Sequence, residues 1–259
     1  MKTSFTNRKG KRLVVQIDPE KFTDNLVFIA HGLGGFKEQP HIQIITEAFL
    51  ENNFTAIRWD MSSSIGESEG SIENATLTDY YEDLEDVISW AERQIWYIEP
   101  FMLSGHSIGS ASIIMFVTKH PNKVKGLAPI SAFLSGRSYF EFKKNEVGEW
   151  KKKGFMLEAS TSKPGVVKKL SWNFMEDILK YNFVDDAEKL TLPVLLIVGS
   201  EDQGTPYKDQ KKFFDNLASK QKELHVIKGA PQTFYNQEHL VKIKEIMKKW
   251  IKKVEEAKG

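Results

Sequence analysis

The stretch at residues 105–109, Gly-His-Ser-Ile-Gly, constrains the fold of this chain more than any other part of the sequence. It follows the apolar or small residues 101–104, which predict a buried strand, and precedes apolar positions at 113–117, which predict a helix. A serine on a sharp strand-to-helix turn needs small neighbours, because bulky side chains would collide with both elements. Such a turn exposes the Ser107 hydroxyl above the sheet and aims the helix start and the Ile108 N–H at a developing negative charge. This order of elements predicts that Ser107 is a nucleophile, the alternative being a glycine-rich turn that only packs a helix on a strand.

Buried apolar runs recur along the rest of the chain and alternate with helical patterns. A hairpin is predicted over 5–17, and strands at 26–30, 54–59, 101–104, 124–130, 192–199 and 224–228. Helices of ten or more residues between strands require right-handed crossovers and hence a parallel sheet. One such helix, with apolar positions from 81 to 91, is expected to be capped by Thr78-Asp79. The sequence therefore predicts an α/β fold.

The alternation pauses between residues 135 and 190, where aromatic residues and lysines become frequent together. We interpret residues 135–185 as a cap inserted over the sheet, and residues 1–134 and 186–259 as the core. The aromatic residues of this segment either line a pocket or form the small core of the cap itself. The lysines at 143–144 and 151–153 are expected on solvated faces, with an acidic-substrate role as the lesser alternative.

Composition narrows the classes of function. With 36 basic and 35 acidic residues the net charge is +1, so no overall field points to nucleic acid or a membrane surface. The chain has no cysteine, which excludes disulfides, thiolate metal sites and thiol nucleophiles. The first residues lack the apolar stretch of a secretory signal, and no apolar run approaches membrane-spanning length. We therefore expect a cytoplasmic protein.

Three further motifs accompany the serine turn. They are His-Gly-Leu-Gly-Gly at 31–35, Gly-Glu-Ser-Glu-Gly at 66–70 and Gly-Ser-Glu-Asp-Gln-Gly-Thr-Pro at 199–206. Together the four motifs resemble those of α/β-hydrolases, and the whole chain is most similar to bacterial and archaeal serine esterases that include cinnamoyl (feruloyl) esterases. The resemblance implies the α/β-hydrolase fold, a mostly parallel eight-stranded sheet flanked by helices, with an inserted cap.

The resemblance also implies roles for individual residues. Ser107 would be the nucleophile, and the backbone N–H groups of Leu33 and Ile108 would form the oxyanion hole. Asp202, just past the end of a strand, would be the triad acid, with Glu201 as the local competitor. The alternative for Asp202 is a turn or cap carboxylate.

The third triad position departs from the family pattern. After the last strand the family reads approximately Gly-Ala-x-His-Thr-Phe, whereas residues 229–234 here read Gly-Ala-Pro-Gln-Thr-Phe. Gln232 therefore stands where the catalytic histidine is expected. A glutamine amide cannot accept a proton at neutral pH, although it is close in size to imidazole and hydrogen-bonds both as donor and as acceptor.

None of the six histidines is an obvious replacement for the missing base. His239 is the nearest candidate, but we expect it to be a solvated helix residue. His31 and His106 are expected to be structural, and His41 to begin a surface helix. His120 and His225 fall at a helix end and within the last strand.

These residues support two hypotheses of different class. The first is a serine carboxylic-ester hydrolase that acts through an acyl-enzyme on aromatic, hydroxycinnamoyl or short-to-medium acyl esters. Thioesters and monoacylglycerols remain open as substrates, no cofactor or metal is needed, and a homodimer is left open. With Gln232 its activity is expected to be several powers of ten lower. The second hypothesis is a non-catalytic ligand-binding member of the fold.

The origin of Gln232 separates these hypotheses. It is either an inactivating substitution in a competent esterase or the natural residue of a binding protein. We favour the first, because a protein that no longer catalyses has no chemical reason to retain Ser107. A third interpretation, an acyl-peptidase relative, is expected to require a large additional domain for which 259 residues leave no room.

Overall fold

A computed structural model describes residues 1–19, 21–161 and 163–257 of the chain. Its main feature is an eight-stranded sheet with the strand order β1-β2-β4-β3-β5-β6-β9-β10. The strands of this sheet and of a separate hairpin, β7–β8, are β1 (Lys2–Thr6), β2 (Arg12–Asp18), β3 (Leu26–Ala30), β4 (Thr55–Trp59), β5 (Phe101–His106), β6 (Val124–Ile130), β7 (Phe155–Ala159), β8 (Val167–Ser171), β9 (Val194–Gly199) and β10 (Lys222–Ile227). Strand β2 is antiparallel to β1 and β4, and the remaining pairs of the large sheet are parallel. The predicted mostly parallel eight-stranded sheet is confirmed.

Helices cover both faces of the sheet. They are α1 (Pro40–Leu50), α2 (Leu77–Ala91), α3 (Ile108–Lys119), α4 (Gly136–Phe142), α5 (Lys144–Lys153), α6 (Trp172–Ile178), α7 (Tyr207–Asn216) and α8 (Gln237–Glu256). Helices α2 and α3 contribute to one buried cluster, and α1 and α8 to the other. Alternate residues of β3 divide between the clusters, Leu26 and Phe28 in the first and Val27 and Ile29 in the second. Both faces of the strand are therefore buried, as its continuous apolar run predicts.

The start of α2 differs from the prediction. Thr76, not Thr78-Asp79, caps the helix: its side chain accepts a hydrogen bond from the Asp79 N–H. Thr78 instead donates from its N–H and its Oγ1 to the carboxylate of Asp177 in α6, at 2.9 and 2.7 Å. The prediction was wrong because a carboxylate distant in sequence binds this helix start.

The segment between β6 and β9 holds α4, α5, the β7–β8 hairpin and α6. Trp150 and Phe174 are buried in it with stacked rings, and the Trp150 indole donates to the carbonyl of Leu170 at 3.1 Å. These aromatic residues therefore help to form the buried interior of the segment, and Phe174, together with Tyr139 and Phe142, also lines a pocket described below. The limits of the cap at 135 and 185 stay a prediction.

The lysines of this segment divide between two environments. Lys144 and Lys151–Lys153 are exposed, as predicted. The expectation of a solvated face is wrong for Lys143, whose side chain is 11% exposed and pairs with Glu146 and Glu158. Its backbone joins α4 to α5, and the side chain turns under the hairpin instead of into solvent.

A buried ion pair organises the loop that follows β4. The Lys37 ammonium and the Asp60 carboxylate are both fully buried and lie 2.6 Å apart. Asp60 also accepts hydrogen bonds from the backbone N–H groups of Lys37 and Glu67, each at 2.8 Å. A Cβ at Gly66 would lie 2.2 Å from the Asp60 carboxyl carbon, so the loop closes around this carboxylate only with glycine there.

No helix in the described ranges is both long and apolar enough to cross a membrane.

Replacement of this carboxylate tests its structural role. We expect Asp60→Asn to lower the free energy of unfolding by about 3–5 kcal/mol, because Lys37 would lose its fully buried partner and keep only the half-exposed carboxylates of Glu38 and Glu67. Glu38→Gln is the matched control, since Glu38 contacts the same ammonium at 3.0 Å but is 42% exposed. Glu38→Gln should lower the free energy of unfolding by only about 0–1 kcal/mol. Urea unfolding followed by circular dichroism measures both, and equal losses would contradict the prediction.

Candidate active site

Ser107 occupies the turn between β5 and α3 with a strained backbone. Its φ and ψ are 53° and −119°, in a region that non-glycine residues rarely occupy. Hydrogen bonds to residues outside α3 help to hold the conformation: the Ser107 N–H donates to the carbonyl of Ile130 at 3.0 Å, and its carbonyl accepts from the Phe133 N–H at 3.2 Å. Strain of this kind persists where surrounding contacts determine the backbone, and it clusters at functional sites.

The two glycines of the motif allow this turn to pack. A Cβ at Gly105 would lie 2.8 Å from the carbonyl carbon of Gly109. A Cβ at Gly109 would lie 2.5 Å from the carbonyl oxygen of His31. Strand, turn and helix therefore approach one another too closely for any side chain at these positions, which is the reason the sequence analysis gave.

The loop at residues 31–35 lies directly against the serine turn. A Cβ at Gly32 would lie 2.9 Å from Nδ1 of His106 and 3.2 Å from Cβ of Ser107. Leu33 and Ile108 line the same pocket as Ser107, and neither backbone N–H donates a hydrogen bond to another described residue. Ile108 is the first residue of α3, where backbone N–H groups have no partner within the helix. Two N–H donors are thus available beside the serine hydroxyl.

Gln232 lies within hydrogen-bond distance of the predicted nucleophile. Its side-chain Nε2 donates to Oγ of Ser107 at 3.1 Å. Its backbone carbonyl is 2.9 Å from Nε2 of His106, and its side chain packs beside Gly204. The structure therefore brings Ser107 and the expected histidine position together.

Asp202 follows β9, as predicted, but it does not line the pocket that contains Ser107 and Gln232. It is buried, whereas Glu201 is exposed. Its carboxylate accepts from the N–H of Thr205 at 2.8 Å and from the Thr205 hydroxyl at 2.6 Å. Among the described residues no hydrogen bond joins Asp202 to Gln232. Thr205, in the turn that follows β9, supplies both of the donors to this carboxylate instead.

Two histidines beside the site are neutral parts of the structure. Nε2 of His31 accepts from the N–H of Met61 at 2.9 Å, so the proton lies on Nδ1, which donates to the Gly32 carbonyl at 2.8 Å. Burial lowers the pKa of both His31 and His106. The expectation that these two residues are structural agrees with these contacts.

His41 and His239 are placed differently from the expectation. His41 is buried on α1, its ring centroid is 4.3 Å from that of His106, and neither of its ring nitrogens has a partner among the described residues. His239 is also buried, on α8, and no hydrogen bond within the described ranges joins it to Ser107 or Asp202. The prediction of a solvated position was wrong for His239, because α8 packs the face that carries this histidine against the rest of the molecule. His41 does lie at the start of α1, as predicted, but on the buried face of that helix.

A pocket of about 390 Å³ opens in front of Ser107. Part of its wall is aromatic, from Phe133, Tyr139, Phe142 and Phe174. The ionised side chains in its wall are Lys143, Glu158 and Lys168. An acidic-substrate role was only the lesser alternative for Lys143, and Glu158 and Lys168 were not predicted as pocket residues. No motif contains these residues, and they meet only because the β7–β8 hairpin folds over residues 31–35. Within the described residues, no cluster of three or more His, Cys, Asp or Glu forms a potential metal site.

The fold and the serine turn together define an α/β-hydrolase, and comparison with known proteins agrees. The family model for the serine aminopeptidase S33 family matches residues 22–158 and 155–232. Because this match covers most of the chain, the protein belongs to that family of α/β-hydrolases.

Individual relatives are distant. An uncharacterized 31.7 kDa protein from the traX-finO intergenic region of Escherichia coli is 23% identical, over 95% of this chain and 96% of its own length. Est1E from Butyrivibrio proteoclasticus, solved with ferulic acid bound, superposes with a TM-score of 0.81 at 21% identity, over 97% of this chain and 98% of its own. Mouse alpha/beta hydrolase domain-containing protein 10 gives a TM-score of 0.80 at 17% identity, over 98% and 99%. At these identities the structures establish the fold alone.

The buried imidazoles predict how stability depends on pH. Burial, with smaller effects from His106 and His31, holds the pKa of His41 well below its usual value. In the unfolded chain a histidine has a pKa of about 6.5. Below that pH the unfolded state therefore takes up a proton that the folded state does not. Stability is therefore fully present above this pH and falls as the pH drops.

We expect His41→Leu to reduce this loss of stability. The slope of unfolding free energy against pH between 5 and 6 should fall by up to about 1.4 kcal/mol per pH unit. Urea unfolding of the parent and the variant at pH 5, 6, 7 and 8 measures the slope. Parallel curves for the two proteins would show that His41 does not contribute.

Proposed function

We propose that the protein is a serine carboxylic-ester hydrolase that forms an acyl-enzyme at Ser107, and that Gln232 impairs it in this form. The observation that carries the proposal is the strained serine turn, with Ser107 beside two unpaired backbone N–H groups in a pocket. The aromatic part of the pocket wall suits aromatic or medium-length acyl groups. The fold neighbour Est1E, with ferulic acid bound, supports hydroxycinnamoyl esters as candidates.

The mechanism follows from the positions of these groups, with a histidine at 232. Oγ of Ser107 attacks the ester carbonyl carbon while the imidazole removes its proton. The Leu33 and Ile108 N–H groups stabilise the oxyanion that forms, and Asp202 orients the imidazole. The imidazolium then gives its proton to the departing alcohol, and the acyl-enzyme remains. Water attacks the acyl-enzyme by the same route, which releases the acid and restores Ser107.

Gln232 removes the proton acceptor from this sequence. Its amide donates to Oγ of Ser107, which occupies a lone pair of the nucleophile and offers no base for its proton. Residual catalysis from the oxyanion hole and substrate binding is all that remains, so turnover is expected to be lower by several powers of ten.

The second candidate is a ligand-binding protein on the same scaffold. It is favoured by the hydrogen bonds of the site, since Gln232 satisfies Ser107 and Thr205 satisfies Asp202. Both pairs are complete without any proton-transfer route. A pocket of this kind binds a small molecule and releases it unchanged.

Restoration of the base separates the two candidates. We expect Gln232→His to raise kcat/KM for p-nitrophenyl acetate and methyl ferulate by about 10²–10⁴, the usual contribution of a general base. Gln237→His is the matched control, because Gln237 is exposed at the start of α8 and should leave the rate unchanged. Addition of Ser107→Ala to Gln232→His should abolish the gain. Absence of turnover in every form, with binding of the same esters retained, would favour the binding protein.

The unsubstituted chain offers a test that needs no mutation. p-Nitrophenolate departs without a proton, so the missing base should slow hydrolysis of the acyl-enzyme more than its formation. With p-nitrophenyl acetate as substrate, we expect the chain to release a stoichiometric amount of p-nitrophenolate slowly. The acetyl group should remain on Ser107, where intact-mass and peptide mass spectrometry detect it. Ser107→Ala is the control. An unmodified serine after long incubation would contradict the nucleophile assignment.

A further inference from the structure

The segment between β6 and β9 contributes part of the pocket wall. This part contains three ionised side chains that form one cluster. Glu158 of β7 lies 2.8 Å from the Lys168 ammonium of β8 and 3.5 Å from that of Lys143. All three residues line the pocket that contains Ser107. We call Lys143, Glu158 and Lys168 the lysine cluster.

Lys168 lies against the loop that carries a predicted oxyanion donor. A Cβ at Gly34 would lie 2.7 Å from Cδ of Lys168, so the lysine stem packs directly on the residue after Leu33. The ammonium is only two bonds beyond that carbon. A positive charge is therefore held close to the place where the ester carbonyl would bind.

The charges of the pocket wall do not cancel. It contains two ammonium groups and one carboxylate, and His106 adds no charge because burial lowers its pKa. The side chains of Lys143 and Lys168 are only 11% and 12% exposed, so water compensates them poorly. The second carboxylate that balances these charges, Glu146, contacts Lys143 at 3.1 Å, but it lies outside the pocket lining and is 54% exposed. The excess positive charge is therefore local to the pocket wall, where it favours an anionic guest.

We propose that the lysine cluster binds a carboxylate carried by the ester substrate, so that the preferred substrates are esters with a free carboxylate on the acyl or the alcohol part. This inference rests on the proposed esterase function and names its substrate class. Lys168 and Lys143 donate charge-assisted hydrogen bonds to the carboxylate, while the aromatic wall contacts the apolar remainder of the substrate. Recognition of a substrate amine by Glu158 is disfavoured, because two ammonium groups already flank that carboxylate.

Matched ester pairs in the Gln232→His background test the proposal. The acyl arm compares the p-nitrophenyl hemiester of glutaric acid with its methyl p-nitrophenyl diester. The alcohol arm compares 4-acetoxybenzoate with methyl 4-acetoxybenzoate. We expect the charged member of at least one pair to have the higher kcat/KM, by about tenfold, as one charge-assisted hydrogen bond supplies. The arm that shows the preference identifies which part of the ester carries the carboxylate.

Substitutions in the lysine cluster should change this preference in opposite directions. Lys168→Met and Lys143→Met should each reduce the charged-to-neutral ratio of kcat/KM by about tenfold, whereas Glu158→Gln should increase it. Lys169→Met is the matched control, since Lys169 neighbours Lys168 in β8 but pairs with Glu73 and is 43% exposed. A ratio near one in both arms, or ratios unmoved by Lys168→Met and Lys143→Met, would overturn the proposal while the esterase function stands.

Binding to the unsubstituted chain separates the two claims. Calorimetric titration with monomethyl glutarate and dimethyl glutarate requires no catalysis. Tighter binding of the monoanion, lost in Lys168→Met but not in Lys169→Met, supports the carboxylate site even if Gln232→His hydrolyses no ester. Equal binding of the two esters, together with equal rates, would contradict it.

Discussion

The backbone of Ser107 is the constraint on which the site depends. A φ of 53° costs about 1–3 kcal/mol, and the hydrogen bonds to Ile130 and from Phe133 hold the residue there. Ile130 ends β6, the strand beside β5, and Phe133 follows it, while residues 31–35 follow β3 on the other side of β5. Because parallel strands end at one edge of the sheet, the serine turn, the loop with Leu33 and the helix start meet in one place.

Position 232 is held by its main chain, not by the chemistry of its side chain. The contact between His106 and the backbone carbonyl of residue 232 does not depend on which side chain residue 232 carries. A glutamine can therefore occupy the place of a base while the pocket keeps its form. On the proposed mechanism the catalytic consequence is large while the structural one is small, because the side chain would transfer the proton whereas the backbone carbonyl makes the structural contact.

The inserted segment brings its own chemistry to the site. It is attached to the core where Asp177 receives two hydrogen bonds from Thr78 at the start of α2. Its hairpin then lays Lys168 over Gly34, next to the predicted oxyanion donor Leu33. On the proposed function the core of the fold would supply the reacting groups, and the insertion would supply the charge that selects among substrates.

The strands, the parallel sheet and the serine turn were predictable from the sequence. Apolar runs indicate buried strands, and the two glycines of the serine turn indicate close packing, and both patterns extend over only a few residues. The position of Gln232 beside Ser107 was predictable for the same reason, since its neighbours form a local motif, while its place as a missing base stays a prediction. The burial of His41, His239 and Lys143 and the pairing of Asp202 with Thr205 were not predictable. They depend on which faces of the helices and strands pack together and on which donors lie within hydrogen-bond distance of a carboxylate. Those choices are made by contacts between segments distant in sequence, and only the tertiary structure decides them.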